Sequence, residues 1–296
     1  MEKENLHPVV GWLWKIPAIA LAYFIGVMIS GAVITATNLR WPSFPESFNQ
    51  SNEFVLSLVG AVLMAFCMAL LARGVGGSYV ARWFMLATFS YVAFGLNNQI
   101  EAAIFTTYGG TVTMLLFLIL PCALGAAAAV SLFEPEWMET VLENAITSQP
   151  LSKWFWRVAV AWLAFPVIYL FFGMLAAPIV VPVYQSQNFG LTLPGFATII
   201  PVALVRSALY LAVTIPIIVS WSRSRRSLFW SLAITLFAMM GLIGLLSTTF
   251  FPPVLRITHS VEILGDAFVY AWLLVALFDP NARHEVNESV PAVADS

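Results

Sequence analysis

Residues 54–72 read FVLSLVGAVLMAFCMALLA, an uncharged apolar run of the length that crosses the hydrocarbon core of a bilayer as one helix. In lipid, only a helix or a closed barrel satisfies its own backbone polar groups. The composition of the whole chain agrees, because 60% of its residues are hydrophobic and 9% are charged, against about 25% charged in a soluble domain. The sequence therefore predicts an all-α integral membrane protein.

Seven further apolar runs bring the prediction to eight transmembrane helices. The predicted spans are 12–37, 54–72, 83–105, 111–133, 154–181, 196–221, 228–246 and 254–278. One side of this topology carries Lys3, Lys15, Arg73, Arg82, Lys153, Arg157, Arg223, Arg225, Arg226 and Arg283, whereas the opposite loops carry only Arg40. The positive-inside rule then predicts that both termini are cytoplasmic, in a multi-pass protein of the plasma membrane, which in a bacterium is the inner membrane.

Short sequence matches indicate two related halves. Leu132-Phe133-Glu134-Pro135 closes the fourth span and Leu277-Phe278-Asp279-Pro280 closes the eighth, while Trp14-Lys15 and Trp156-Arg157 open the first and the fifth. We therefore predict two parallel four-helix repeats, 1–133 and 154–280, although matches this short also arise by chance. Between them, residues 134–153 predict a cytoplasmic interfacial linker helix, and the polar tail 281–296 predicts disorder.

Charged and amide side chains interrupt three of the spans, where each ionisable group costs several kcal/mol unless it is compensated. At about 100° per residue, Arg256, His259, Glu262, Asp266 and Tyr270 share one face of the eighth span. Asn97, Asn98 and Glu101 share a side of the third span, and Arg206 lies near the middle of the sixth. We expect an outward-facing polar cavity between the third and eighth spans, with these nine residues as candidates for binding a solute or an ion.

Three functions are consistent with such a cavity. The first is a proton- or cation-coupled transporter of a small solute, with a carboxylate or His259 taking the coupling ion. The second is a membrane-embedded enzyme that acts on a lipid or lipid-linked substrate at the outer leaflet, with His259 and Glu262 as catalytic base and acid. The third is a sensor or assembly subunit. A purely structural role is also open, in which Arg256 pairs with Glu101 or Glu262, and Arg206 pairs with Asp266.

Residue types narrow the expected cofactors and partners. His259, Glu262, Asp266 and Glu101 are side chains that bind a divalent metal, which makes a metal-dependent enzyme one alternative. No lysine lies near the middle of a predicted span to hold retinal, His259 is the only histidine within a span, and no nucleotide-binding loop is present. We therefore expect no haem, retinal or nucleotide. The expected partners are membrane lipids and a small solute or lipid-like ligand, and no basic face predicts nucleic acid.

Overall fold

The computed structural model describes residues 8–42, 50–108, 111–134, 150–186 and 188–278. Within them, eight helices are long and apolar enough to cross a membrane, which confirms the predicted number. These are α1 (Pro8–Ala36), α2 (Gln50–Ala72), α3 (Tyr79–Phe105), α4 (Val112–Leu132), α5 (Leu151–Gln185), α6 (Phe196–Val219), α7 (Arg225–Ser247) and α8 (Pro253–Phe278). Residues 135–149 of the predicted linker helix and the tail 281–296 lie outside the described residues.

Two helices begin before the apolar windows in the sequence because a serine side chain caps each of them. The hydroxyl of Ser78 accepts a hydrogen bond from the backbone N–H of Ala81, and Ser224 does the same for Ser227, so α3 and α7 begin at these caps. The longest helix, α5, continues to Gln185 although it contains three prolines. An apolar run in the sequence locates a membrane span, whereas the capping residue determines where its helix begins.

The helices pack in two groups of four. In the first group, α1 contacts α2 and α4, and α3 contacts α4; in the second, α5 contacts α6 and α8, and α7 contacts α8. The groups meet where α2 packs on α7 and α3 packs on α6. Residues from both groups, including Met64, Leu86, Phe89, Leu236 and Met239, are fully buried in one shared hydrophobic core.

At each end of the bundle, two loops are joined to one another by a short backbone pairing. The loops after α2 and α6 exchange two hydrogen bonds, from Gly76 N–H to Ser220 O and from Ser222 N–H to Gly74 O, both 2.8 Å long. The loops after α3 and α5 are bridged between Thr106 and Leu191. We call the end that carries the second pairing the site face, because the polar cluster described below lies near it.

Several local features occur in corresponding positions of the two groups. The caps Ser78 and Ser224 are separated by the same number of residues as Gly95 and Gly241 (224 − 78 = 146; 241 − 95 = 146). Each of these glycines lies in a π-helical segment, Tyr91–Leu96 in α3 and Ala238–Leu242 in α7. In addition, Trp12 packs on Phe133 with ring centres 5.0 Å apart, and Trp154 packs on Phe278 at 5.8 Å.

Arg82 is buried, with 4% of its surface exposed, although the sequence analysis placed it at a membrane surface. Its guanidinium donates to the carbonyls of Ala72 (2.8 Å), Val75 (2.9 Å) and Phe133, at the ends of α2 and α4. Because the helices end there, no backbone N–H of a following turn donates to these carbonyls. Arg82 therefore fastens three helices at the end opposite the site face.

Candidate functional site

An ion pair between α3 and α6 forms the centre of the polar cluster. The Nη2 of Arg206 lies 2.9 Å from the Oε2 of Glu101, and the hydroxyl of Tyr169, on α5, donates to the other carboxylate oxygen at 3.2 Å. The side chain of Arg206 is 3% exposed and that of Glu101 is 28% exposed. Glu101 therefore covers Arg206 on the side that is open to the surroundings.

Aromatic rings complete the environment of the Arg206 guanidinium. Its central carbon lies 5.4 Å from the ring centre of Tyr169 and 5.9 Å from that of Phe165, distances at which a cation is attracted to a ring face. The rings of Tyr210 and Tyr270 pack on Phe165 at 5.2 and 5.1 Å, and both tyrosines are fully buried. These rings close the cluster on the side away from the site face.

A second polar group lies on the first turns of α8. The Nδ1 of His259 is 2.6 Å from the Oε2 of Glu262, one turn further along the helix. The other ring nitrogen, Nε2, is 3.3 Å from the hydroxyl of Tyr184 on α5. Glu262 is 9% exposed at its side chain and also approaches Gly173 of α5, whose missing side chain leaves room for it. Both ring nitrogens of His259 are thus occupied by protein groups.

Asp266 lies one further turn along α8 and is 2% exposed. Its Oδ1 has no hydrogen-bond partner among the described residues, and neither has the buried Nε of Arg206. The charges of Glu262, Glu101 and Arg206 are all close enough to act on Asp266. An ionised carboxylate in this position would lack direct compensation, which is costly in a medium of low polarity.

The sequence analysis expected the site between α3 and α8, whereas α3 packs on α6 and α7, and α8 packs on α5 and α7. It also assigned two of the ionic contacts incorrectly. Arg206 pairs with Glu101 and not with Asp266. Arg256 pairs with neither Glu101 nor Glu262, because its guanidinium donates to the carbonyls of Leu245 (2.7 Å) and Leu246 (3.0 Å) at the end of α7. Those carbonyls lack partners within their own helix, so Arg256 acts as a cap for α7.

Asn97 and Asn98 take part in the junction of the two π-helical segments. The side-chain amide of Asn97 donates to Val92 O at 3.1 Å, and that of Asn98 donates to Met239 O at 2.9 Å. A π-helical turn disrupts the regular hydrogen-bond ladder, and these amides supply donors to its carbonyls. Asn97 thus bonds within α3, whereas Asn98 joins α3 to α7.

Several residues of the cluster were not identified from the sequence. Tyr169, Tyr184, Tyr210 and Phe165 all contact the charged groups or their partners. A signal existed for α5, because Phe165, Tyr169 and Gly173 are spaced four residues apart and so share one helix face. It was weak, since aromatic residues are also common on helix faces that contact lipid or other helices.

The outward-facing polar cavity expected between the third and eighth spans stays a prediction. Two surface cavities, of about 390 and 430 Å³, lie elsewhere: one beside Arg225 and Arg226, the other along α7 and α8 beside Arg256. Within the described residues, no three His, Cys, Asp or Glu side chains are arranged to hold a metal ion.

Comparisons with protein-family models, with curated proteins and with solved structures give no match.

Proposed function

We propose that this protein is a secondary transporter that couples the movement of a small solute to protons through the cluster around Arg206. The observation that carries the proposal is Asp266, a carboxylate that is 2% exposed and has an oxygen without a hydrogen-bond partner. Because burial opposes an unpaired charge, such a group holds a proton unless the site around it opens. A carboxylate of this kind can therefore bind a proton in one conformation and release it in another.

The neighbouring ion pair supports the same function. The pair of Arg206 and Glu101 joins the first four-helix group to the second. Burying two charges is costly, and helices pack in lipid without buried ion pairs, so the pair supports a role beyond packing. Tyr169 and the pair of His259 with Glu262 continue the polar groups from Asp266 towards the site face. These groups offer a route for a proton between the surroundings and the interior of the bundle.

The enzyme alternative has less support from the geometry. His259 resembles a base that is oriented by a carboxylate, with Glu262 at 2.6 Å on Nδ1. The nitrogen with which such a base would act, Nε2, already contacts Tyr184. The same contacts suit a proton relay better than a base that must reach a substrate.

We also propose that the two four-helix groups are parallel repeats, with both termini in the cytoplasm of a cell whose plasma membrane holds the protein. The matched caps, π-helical segments and Trp–Phe contacts support the repeat, and the distribution of Lys and Arg supports the orientation. In parallel-repeat transporters the substrate site lies between the two halves. The pair of Glu101 with Arg206 has that location here.

The test uses the full-length protein in liposomes loaded with a fluorescent pH indicator. A panel of small organic acids, amines and uncharged solutes is added outside under an inward proton gradient. We expect at least one solute class to produce solute-dependent proton entry that is lost in Asp266→Asn and kept in Ser260→Ala, a control on the same helix. Proton entry that is independent of every solute, or that is unchanged in Asp266→Asn, would contradict the proposal.

A further inference from the structure

Arg206 already holds a carboxylate, and that carboxylate belongs to the protein. The Oε2 of Glu101 is 2.9 Å from Nη2 of Arg206, while the rings of Tyr169 and Phe165, both on α5, lie 5.4 and 5.9 Å from the guanidinium carbon. An arginine packed beside aromatic rings is a common means of recognising a carboxylate, because its planar group presents donors in a rigid arrangement. The contact thus shows that the chemistry of this position suits a carboxylate.

We propose that the solute is a small carboxylate anion that displaces Glu101 from Arg206, and that Glu101 takes up one proton as it is displaced. This inference rests on the proposed transport function and specifies its substrate class. Arg206 is 3% exposed and Glu101 is 28% exposed, so an anion that approaches from outside the bundle meets Glu101 before it reaches the guanidinium. These exposed fractions favour a route in which the carboxylate of the incoming anion replaces that of Glu101 on Arg206.

Charge balance explains why a proton accompanies the anion. Before exchange, the positive charge of Arg206 is balanced by Glu101. After exchange, the bound anion balances Arg206, and an ionised Glu101 would leave one uncompensated negative charge beside Asp266. A proton from solution that binds the Glu101 carboxylate removes this charge, so one anion and one proton enter together and the net charge of the site does not change.

Among the described groups around Glu101, no other cation is free to neutralise the displaced carboxylate in place of that proton. The charged or titratable groups that act on the cluster are Tyr169 and Tyr184 of α5, Arg206 and Tyr210 of α6, and His259, Glu262 and Asp266 of α8. Arg206 is occupied by the anion after exchange, and His259 is paired with Glu262. The phenol of Tyr169 donates to Glu101 and remains in place to bind the protonated carboxyl group.

The inference is tested by calorimetric titration of the purified full-length protein with acetate, lactate, succinate and benzoate. Each titration is repeated in two buffers with different heats of ionisation, which gives the number of protons taken up per anion. We expect one of these anions to bind with uptake of about one proton, and its affinity to fall about tenfold per pH unit as the pH rises, because one proton is linked to binding. Binding of none of the four anions would overturn the inference.

Variants separate the roles of the two residues. Glu101→Gln should still bind the anion, with no proton uptake and no dependence on pH. Arg206→Lys should bind it about 10- to 100-fold more weakly, because an ammonium group lacks the planar, rigid set of donors of a guanidinium. Should Arg206→Lys fail to fold, the double variant Arg206→Gln with Glu101→Gln removes both charges together and should not bind. Arg256→Gln, which alters the cap of α7, is the matched arginine control and should bind like the parent protein.

The outcomes also separate this inference from the transport function. Carboxylate binding with proton uptake but without flux in liposomes would leave the inference standing and contradict transport. Proton-coupled flux of an amine or an uncharged solute, without carboxylate binding, would overturn the inference and leave transport standing. Anion binding that is equal in Arg206→Lys and in the parent protein would assign the anion to another site and overturn the inference.

Discussion

The guanidinium of Arg206 and the carboxylate of Glu101 are 2.9 Å apart, and they lie on helices that belong to different four-helix groups. This contact is the ion pair at the centre of the polar cluster. Its two residues are 105 positions apart in the chain, so the contact forms only where α3 and α6 pack together. The ion pair therefore reports directly on how the two groups are docked.

The first prediction concerns the stability that this pair confers. Glu101→Gln leaves the buried Arg206 without its counter-charge, so we expect a loss of about 3 kcal/mol in the free energy of unfolding. Arg206→Gln with Glu101→Gln should recover most of that loss, because neither charge remains buried. Thermal unfolding of the four proteins of this cycle in one detergent provides the measurement. Additive losses in the double variant would show that the two residues are not coupled.

The membrane fold was predictable from the sequence because hydropathy and span length depend on local composition alone. The polar face of α8 was also predictable, since helical phase places His259, Glu262 and Asp266 within one stripe. The partner of Arg206 was not, because it depends on which helix packs beside α6. Arg256 was misassigned for a related reason. Its long side chain extends to the end of α7, and helical phase does not predict which neighbouring helix a long side chain contacts.

The second prediction concerns the junction of the two π-helical segments. Asn98→Ala removes the hydrogen bond to Met239 O, and we expect a loss of about 1 kcal/mol in stability, together with faster hydrogen exchange in 238–242. Thr88→Ala is the matched control on α3, because the Thr88 hydroxyl bonds to Phe84 O within its own helix. Equal exchange rates in Asn98→Ala and Thr88→Ala would show that the amide does not hold the junction.

The third prediction compares two glycines of α1. A methyl group on Gly26 would lie 2.5 Å from the Cα of Pro121 on α4, whereas a methyl group on Gly31 would meet nothing within 4 Å. Because the obstacle is backbone, Gly26→Ala must push α1 away from α4, and we expect it to cost about 3 kcal/mol. Gly31→Ala should cost nothing. Unfolding temperatures in the same detergent test this difference, and equal values would contradict the close packing of α1 on α4.

The central claim is that Asp266 holds a proton inside the bundle, and infrared spectroscopy tests it most directly. The spectrum of the purified protein at neutral pH is compared with those of Asp266→Asn and of the control Ser260→Ala. The account predicts a carboxylic acid C=O stretching band in the parent protein and in Ser260→Ala that is absent from Asp266→Asn. A carboxylic acid region that is identical in the parent protein and in Asp266→Asn would show that Asp266 is ionised, and would contradict the account.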